Sequence, residues 1–334
     1  MKKKTTITDI ANKLGISPTT VSFVLNKRND KGISTETIEQ VLKTANELGY
    51  KSKQKPKNSG WIKTVFLIRN IDELNLQTTF FSKLHQHLNE ICKKNKIELH
   101  LQEFPYNNSQ DLIVNFHKIS KLGFDVYLSN DPEIIMFLDD MTHSTVLVQG
   151  ENTVKDIICV HCDDYSGGAK VANYAFDAGH RVGGIIYPYT YNQRVHGFID
   201  TFTKLGGECP EQFRLETSWN FDEIEKLVTE KTATGNLPTF FFCFSDSLMF
   251  PTIRGLAENN ISVPNNMSLI GADNLFWGKY SKPSFTTLEL NEYLFAEKLI
   301  DAIKSAFKKT PTYQVAIPVS IIERESFKKI YTYS

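Results

Sequence analysis

The 334-residue sequence predicts an all-helical head of about fifty residues joined to an α/β body of two doubly wound parallel-sheet subdomains. Three observations carry this expectation. Apolar residues recur only at helical spacing between residues 7 and 49. From Thr64 onward, short β-rich runs alternate with helical stretches, the pattern of parallel sheets wrapped by helices. Charge is divided at the same place: residues 1–60 carry twelve basic and five acidic side chains, a net +7, and the remaining 274 carry a net −7. The hydrophobic share of 41% is enough for a sizeable core and excludes disorder over most of the length.

In the head, Thr8 reads as a helix N-cap, and Ile10, Ala11 and Leu14 form an apolar stripe that stops at Gly15. Ser17 is the next cap, with Pro18 at the first helical position, where its missing N–H costs nothing. Val21, Val24 and Leu25 repeat at i, i+3, i+4 in a second helix ending near Asn26. A third begins at Ser34 and buries Ile38, Val41, Leu42, Ala45 and Leu48 until Gly49. Two short helices joined by a tight glycine turn and braced by a third describe a helix-turn-helix unit.

A folded basic head on an acidic body points to nucleic acid. The second helix would enter the major groove with Pro18, Thr19, Thr20, Ser22 and Phe23 facing outward. Hydroxyls at the helix starts (Thr8, Ser17, Thr20, Ser22) suit phosphates, whereas Thr19 and Phe23 suit thymine methyls. Lys27 and Arg28, just past the helix, suit phosphate.

The run Ile7-Thr-Asp-Ile-Ala-Asn-Lys-Leu-Gly-Ile-Ser-Pro-Thr-Thr-Val-Ser-Phe-Val-Leu-Asn26, followed by Ser34-Thr-Glu-Thr and Leu48-Gly-Tyr50, resembles the DNA-binding head of the lac repressor (LacI) family. That resemblance implies an Ala-Arg-x-Leu hinge helix next, which wedges a leucine into the minor groove. Here the segment is Lys51-Ser-Lys-Gln-Lys-Pro-Lys-Asn-Ser-Gly60-Trp61, with no such element. Its four lysines cannot bury an apolar face, so it reads as a basic linker that touches phosphates without kinking the DNA. Trp61 is either a substitute wedge or a residue packed on the body.

In the body, strands are expected at 64–68, 97–104, 126–128, 146–148, 184–186, 239–244 and 268–271. Helices are expected at 81–95, 112–122, 167–179, 194–205, 221–229 and 247–258. Further motifs follow in order: Val160-His-Cys-Asp-Asp-Tyr-Ser-Gly-Gly168, Ala178-Gly-His-Arg181, Arg194-Val-His-Gly-Phe198, Ser268-Leu-Ile-Gly-Ala-Asp273 and Glu323-Arg-Glu-Ser326. These resemble the effector core of the same family, itself similar to type I periplasmic sugar-binding proteins. The resemblance implies a head at 1–50, a linker at 51–61 and a core at 62–334. Within that core it implies an N-subdomain of about 62–160 and 291–320 and a C-subdomain of about 161–290 and 321–334, with crossings near 160, 290 and 320.

By the same resemblance, Arg194 reaches polar ligand atoms with its donor fork, and Asp273 accepts two hydroxyls just past a strand end. Ser245 stands where the family often has an asparagine. Phe80 and Phe81 match an aromatic pair on the first cleft loop, and Trp219 an aromatic from the second subdomain. Aromatic faces with an arginine and an aspartate suit a sugar ring, whose C–H surface stacks while its hydroxyls pair. Read without the resemblance, Phe81 is equally a core residue, Arg194 a surface ion pair and Asp273 a turn cap.

Catalysis has no constellation. Cys159-Val-His-Cys162 has half-site spacing, but a strand alternates faces and no second pair accompanies it, so no metal and no cofactor are expected. Asp163 and Asp164 point to different sides and read as cap and crossover residues. His85 and His87 cannot share a helix face, and His180 reads as a packed strand-entry residue. Five scattered cysteines make no disulfide scaffold, no apolar run reaches membrane-spanning length, and the Lys-rich start has no signal h-region.

The expectation is therefore a cytoplasmic, non-enzymatic transcription regulator, a repressor, acting as a homodimer on double-stranded operator DNA under control of a sugar effector. A purine or nucleoside effector, or a solute-binding protein with a vestigial head, are the alternatives.

Overall fold

The computed structural model describes residues 5–25, 33–48, 50, 60–69, 80–149, 154, 156–188, 193–233, 235 and 237–330. Lys27, Arg28 and most of the 51–61 linker lie outside the described residues. The head has helices α1 (Ile7–Leu14), α2 (Pro18–Leu25) and α3 (Thr35–Glu47). The cap of α1 is Thr6, not Thr8: the Thr6 hydroxyl accepts from Asp9 N at 3.3 Å, and the Asp9 carboxylate accepts from Thr6 N at 2.8 Å. Thr6 wins because an acceptor stands three residues on, completing a capping box; three residues after Thr8 stands Ala11. Gly15 ends the helix at φ +67°, a conformation that favours glycine. Ser17 accepts from Thr20 N at 3.0 Å to open α2, and Ser34 accepts from Thr37 N at 3.2 Å to open α3. Ile10, Ala11, Val21, Val24, Ile38, Val41 and Ala45 form the head's core.

The chain makes two compact units: residues 1–74, 85–161 and 296–315, and residues 75–84, 162–295 and 316–334. The chain thus changes unit after Leu74, Leu84, His161, Phe295 and Val315, where the sequence expectation had three crossings, near 160, 290 and 320. The first unit's six-stranded sheet has the order β11-β5-β4-β3-β1-β2. Its strands are β1 (Ile62–Ile68), β2 (Ile97–Glu103), β3 (Val126–Ser129), β4 (Thr145–Val148), β5 (Ile158–Cys162) and β11 (Gln314–Ile317). Pairing from β2 through β5 is parallel, with Thr64 opposite both Leu99 and Val126. Its helices are α4 (Phe80–Lys94), α5 (Ser109–Ser120), α6 (Pro132–Thr142) and α11 (Glu292–Lys308), the first turns of α4 and α11 clustering with the second unit.

The second unit's sheet has the order β12-β10-β9-β8-β6-β7. Its strands are β6 (Gly183–Pro188), β7 (Arg214–Thr217), β8 (Phe240–Cys243), β9 (Ser268–Ala272), β10 (Thr286–Glu289) and β12 (Ser320–Ile322). Pairing from β7 through β6, β8 and β9 to β10 is parallel, and β10 pairs β12 antiparallel. Its helices are α7 (Asp164–Asp177), α8 (Gln193–Lys204), α9 (Phe221–Thr232) and α10 (Asp246–Glu258). Every residue of β8 and β9 is buried, as expected for a central parallel strand covered on both faces. The doubly wound α/β expectation therefore stands, while α6, α11, β7, β10, β11 and β12 are elements it did not name. Among the described residues, no helix is long and apolar enough to cross a membrane.

Helices α7 and α8 approach so closely that backbone meets backbone. A Cβ on Gly168 would lie 2.0 Å from the Arg194 carbonyl oxygen, and one on Gly197 would lie 2.0 Å from that of Tyr165. No rotamer change relieves a clash with a carbonyl. Replacing Gly197 by Ala is expected to lower stability by roughly 2–3 kcal/mol, read from the denaturant midpoint, while Gly235→Ala, with nothing within 4 Å, should leave it unchanged.

At the opposite end of the second sheet, His180 is fully buried, with Nε2 2.9 Å from the Lys328 carbonyl and Nδ1 2.7 Å from the Thr239 hydroxyl. A carbonyl only accepts, so Nε2 carries a proton toward Lys328, while Nδ1 lies against the Thr239 hydroxyl, whose single proton is shared with the Val182 carbonyl at 2.9 Å. Burial, against the Lys328 bond and with Arg181 nearby, pushes the ring below its ordinary value of 6.5. A depressed folded-state pKa contributes stability that is present above 6.5 and lost as pH falls through the folded value. The wild type is therefore expected to lose more stability than His180→Asn between pH 6.5 and 5, measured as the slope of unfolding free energy against pH.

Candidate functional site

On the head, packing of Val21 and Val24 into the core fixes the opposite face of α2. Thr8, Ser17, Pro18 and Thr19 are exposed, and Thr20, Ser22 and Phe23 are half-buried. The Ser17 and Thr20 hydroxyls lie 2.8 Å apart, so both belong to the cap as well as to the exposed N-terminal end of α2. This face of α2 offers Pro18, hydroxyls and one phenyl ring, without a bidentate donor.

In the second unit, Phe244 and Ser245 follow directly on β8 and Asp273 on β9, while Arg194 opens α8, the helix after β6. Carboxyl ends of such strands are where this kind of sheet receives ligands. The glycine contacts set the first turns of α7 and α8 side by side. Arg194, 3% exposed, donates from Nε at 2.9 Å and Nη2 at 2.6 Å to one oxygen of Asp164. Its Nη1 donates to the Phe244 carbonyl at 2.8 Å and lies 3.8 Å from the Asp273 carboxylate. Burial opposes its charge, but Asp164 and Asp273 prevail and raise its pKa above the ordinary value.

Asp273 accepts at 2.6 Å from the Ser245 hydroxyl, which also caps α10 by accepting from Ser247 N at 3.3 Å. Burial raises the Asp273 carboxyl above the ordinary range, against the pull of Arg194 and Ser245. Beside it, Asp246 is fully buried, accepting from the Thr287 hydroxyl at 2.7 Å and from Leu275 N at 2.8 Å. Burial lifts Asp246 well above the usual carboxylate range. A Cβ on Gly271 would come 2.0 Å from its oxygen, so only glycine leaves room. Asp273 sits at φ +90° and Asn274 at φ +44°, strain of about 1–3 kcal/mol each that the surrounding bonds must hold.

The aromatic partners divide. Trp219, 49% exposed, meets the Phe244 ring edge-on at 6.2 Å, and the Arg194 guanidinium lies 4.8 Å from that ring's centre. Phe80 and Phe81 open α4 rather than lying on a loop, because the helix begins one residue earlier than its apolar period predicted. Phe80 is buried edge-on against Phe295 at 5.1 Å, a packing role, whereas Phe81 is half-buried. Arg194, Ser245 and Asp273 are thus brought together, with Trp219 joined to them through Phe244.

Sequence reading missed Asp164 as the arginine's partner, assigning the Asp163–Asp164 pair to cap and crossover. Asp163 is the cap, accepting from Ser166 N at 3.2 Å, which leaves Asp164 free to face α8. The available signal was that Asp164 precedes Gly168 by four residues and Arg194 precedes Gly197 by three, setting each at the start of a helix that must pack closely. Cys159 and Cys162 are fully buried in β5, and among the described residues no group of three His, Cys, Asp or Glu could hold a metal.

Comparison with known proteins gives matches in both the head and the body. Residues 6–53 match the model of bacterial regulatory proteins of the lacI family, and residues 172–327 match a periplasmic binding protein-like domain. The HTH-type transcriptional repressor PurR of Glaesserella parasuis is 25% identical over 308 residues, covering 89% of this chain and 88% of its own. The fold is shared with the transcriptional regulator CelR in complex with cellobiose (TM-score 0.71, 16% identity, 97% of this chain and 100% of that one). It is shared too with the lac repressor dimer bound to operator and the anti-inducer ONPF (TM-score 0.69, 15% identity, 98% and 100%). A helix-turn-helix head matching one model and an effector-type core matching the other, in that order, place this chain in the lacI family, as a DNA-binding transcription regulator and not an enzyme.

Proposed function

We propose that this chain is a cytoplasmic repressor whose homodimer places two heads on a pseudo-palindromic operator, and whose affinity for that operator is set by a neutral sugar. The observation that carries the effector reading is the Arg194–Asp164–Asp273–Ser245 network beyond β6, β8 and β9, beside the exposed ring of Trp219. A carboxylate beside a guanidinium offers a hydroxyl both an acceptor and a donor, and an indole face takes the sugar's C–H surface. Arg194 already faces two carboxylates, so the wall has no surplus positive charge for a phosphate, which favours an uncharged ligand. The cellobiose held by the structurally similar CelR supports the same class.

A purine or nucleoside is the second reading, favoured by the PurR name of the relative and by the stacking surface of Trp219. A thermal-shift panel of cellobiose, ribose and glucose against hypoxanthine, guanine and adenosine separates the two: stabilisation by purines alone overturns the sugar reading. For the head, Thr8, Ser17, Thr20 and Ser22, with Lys27 and Arg28, are proposed phosphate contacts, and Pro18, Thr19 and Phe23 base-edge contacts.

Two outcomes are expected. Phe23→Ala should weaken binding to the chain's own promoter region by about 1–3 kcal/mol while sparing nonspecific DNA binding and its salt slope, read by gel shift at several salt concentrations. Asp273→Asn, nearly isosteric and still able to accept from Ser245, should fold and bind operator normally. The effector concentration for half-maximal response should rise roughly 10- to 100-fold with the loss of a charged acceptor, measured by fluorescence anisotropy of labelled operator.

A further inference from the structure

The strained turn at Asp273–Asn274 is held from several sides. Asn274 N donates to the Thr287 hydroxyl at 3.3 Å, Arg324 Nη2 donates to the Asn274 side-chain oxygen at 2.6 Å, and Leu275 N donates to Asp246. The two backbone carbonyls of the turn point elsewhere, to one ammonium. Lys83, in the first turn of α4 that clusters with the second unit, donates from Nζ to Asp273 O at 2.8 Å and to Asn274 O at 2.6 Å. Its remaining contact is the Glu292 carboxylate at 3.0 Å, a side chain only 8% exposed. An ammonium has three donors, and here each meets an acceptor, two of them successive carbonyls of one turn. Both residues of that turn lie at positive φ, and their carbonyl directions are part of that conformation.

We infer that Lys83 is the positioning residue of the effector site: by fixing the carbonyls of Asp273 and Asn274, its ammonium sets the direction in which the Asp273 carboxylate meets the ligand. The inference rests on the reading of Asp273 as an effector contact. It explains why a lysine occupies this place and not an arginine. Three acceptors gathered around one point fit a compact tetrahedral donor, whereas a guanidinium spreads its donors in a plane. It also assigns Glu292 a subordinate part, neutralising the charge and taking the third proton. Asp273 itself stays available, since its own carboxylate bonds are to Ser245 and Arg194 and not to Lys83.

The test uses the full chain. Lys83→Met with Glu292→Met removes both charges together, so that no buried carboxylate is stranded. Glu292→Gln, which still accepts from Lys83, is the comparison. Two quantities are read: hydrogen exchange of the 268–276 segment by mass spectrometry, and the concentration of cellobiose that shifts operator binding. The double variant is expected to melt within about 3 °C of wild type, yet to exchange at Asn274 and Leu275 about tenfold faster and to need about tenfold more sugar. Glu292→Gln should match wild type in both. Unchanged exchange in the folded double variant overturns the inference, as does a rise spread evenly over the whole second unit, which marks a merely structural pair. If the double variant does not fold, Lys83→Met with Glu292→Gln, which removes the same two charges but keeps a polar side chain at 292, is read by the same criteria. Should sugars fail to bind even the wild type, the effector reading fails, and the exchange measurement still decides the role of Lys83.

Discussion

The second unit is organised around a guanidinium that water barely reaches. Arg194 is 3% exposed, and an arginine does not discharge itself to relieve burial, so its charge must be answered in place. Asp164 answers it at 2.6 Å, and that geometry exists only because Gly168 and Gly197 let α7 and α8 close to backbone contact. Its Nη1 donates to the Phe244 carbonyl, which fixes the end of β8 and with it Ser245 at the start of α10. Buried pairs of this kind add little net stability over an apolar replacement, but stranding one partner is costly. The pair is better understood as specifying where two helix starts and a strand end must meet.

From that point the acidic side of the site follows. Asp273 and Asp246 are both buried, and burial raises both carboxyls, so neither is stabilised merely by being there. Each is held by its own hydroxyl, Ser245 for Asp273 and Thr287 for Asp246. Asp246 is turned to structural work, tying Leu275 N under the strained turn. Asp273 is left at the strand end with one oxygen near Arg194. Two carboxylates of similar burial therefore take different partners, Asp246 supporting the turn from below and Asp273 sitting in the turn itself, where the backbone is at positive φ.

Much of this was legible. The caps at Ser17 and Ser34, the proline opening α2 and the glycine closing α1 are local signals, and local signals sufficed for the head. Arg194 and Asp273 were legible through the resemblance of the runs Arg194–Phe198 and Ser268–Asp273 to the lacI-family core. What escaped was of two kinds. Strands β7, β10, β11 and β12 run three or four residues and mix polar with apolar side chains, whereas the equally short β3, β4 and β8 declared themselves as buried, mostly apolar runs. Helix α6 hides its period in the run Glu133-Ile-Ile-Met-Phe-Leu138, although Asp131 and Pro132 mark its start; α11 shows the period openly at Phe295, Leu299, Ala302, Ile303 and Ala306 and was readable. The second kind is tertiary: Lys83 and Asp273 stand 190 residues apart, and nothing in either neighbourhood names the other.

The same division of labour extends to charge. A net +7 on residues 1–60 and −7 on the rest cancel in the whole chain, but screening confines their effect to about 8 Å at physiological salt. A phosphate backbone at contact therefore feels the segment nearest it and not the sum. The basic segment is drawn to DNA wherever it meets it, and the acidic body is repelled, so encounter is biased toward the head without any base being read. Specificity must then come from the exposed face of α2, where hydroxyls and a phenyl ring replace the bidentate donors that read guanine or adenine. Such a face discriminates weakly base by base, so under the homodimer proposed above two heads on one operator would supply the remaining selectivity.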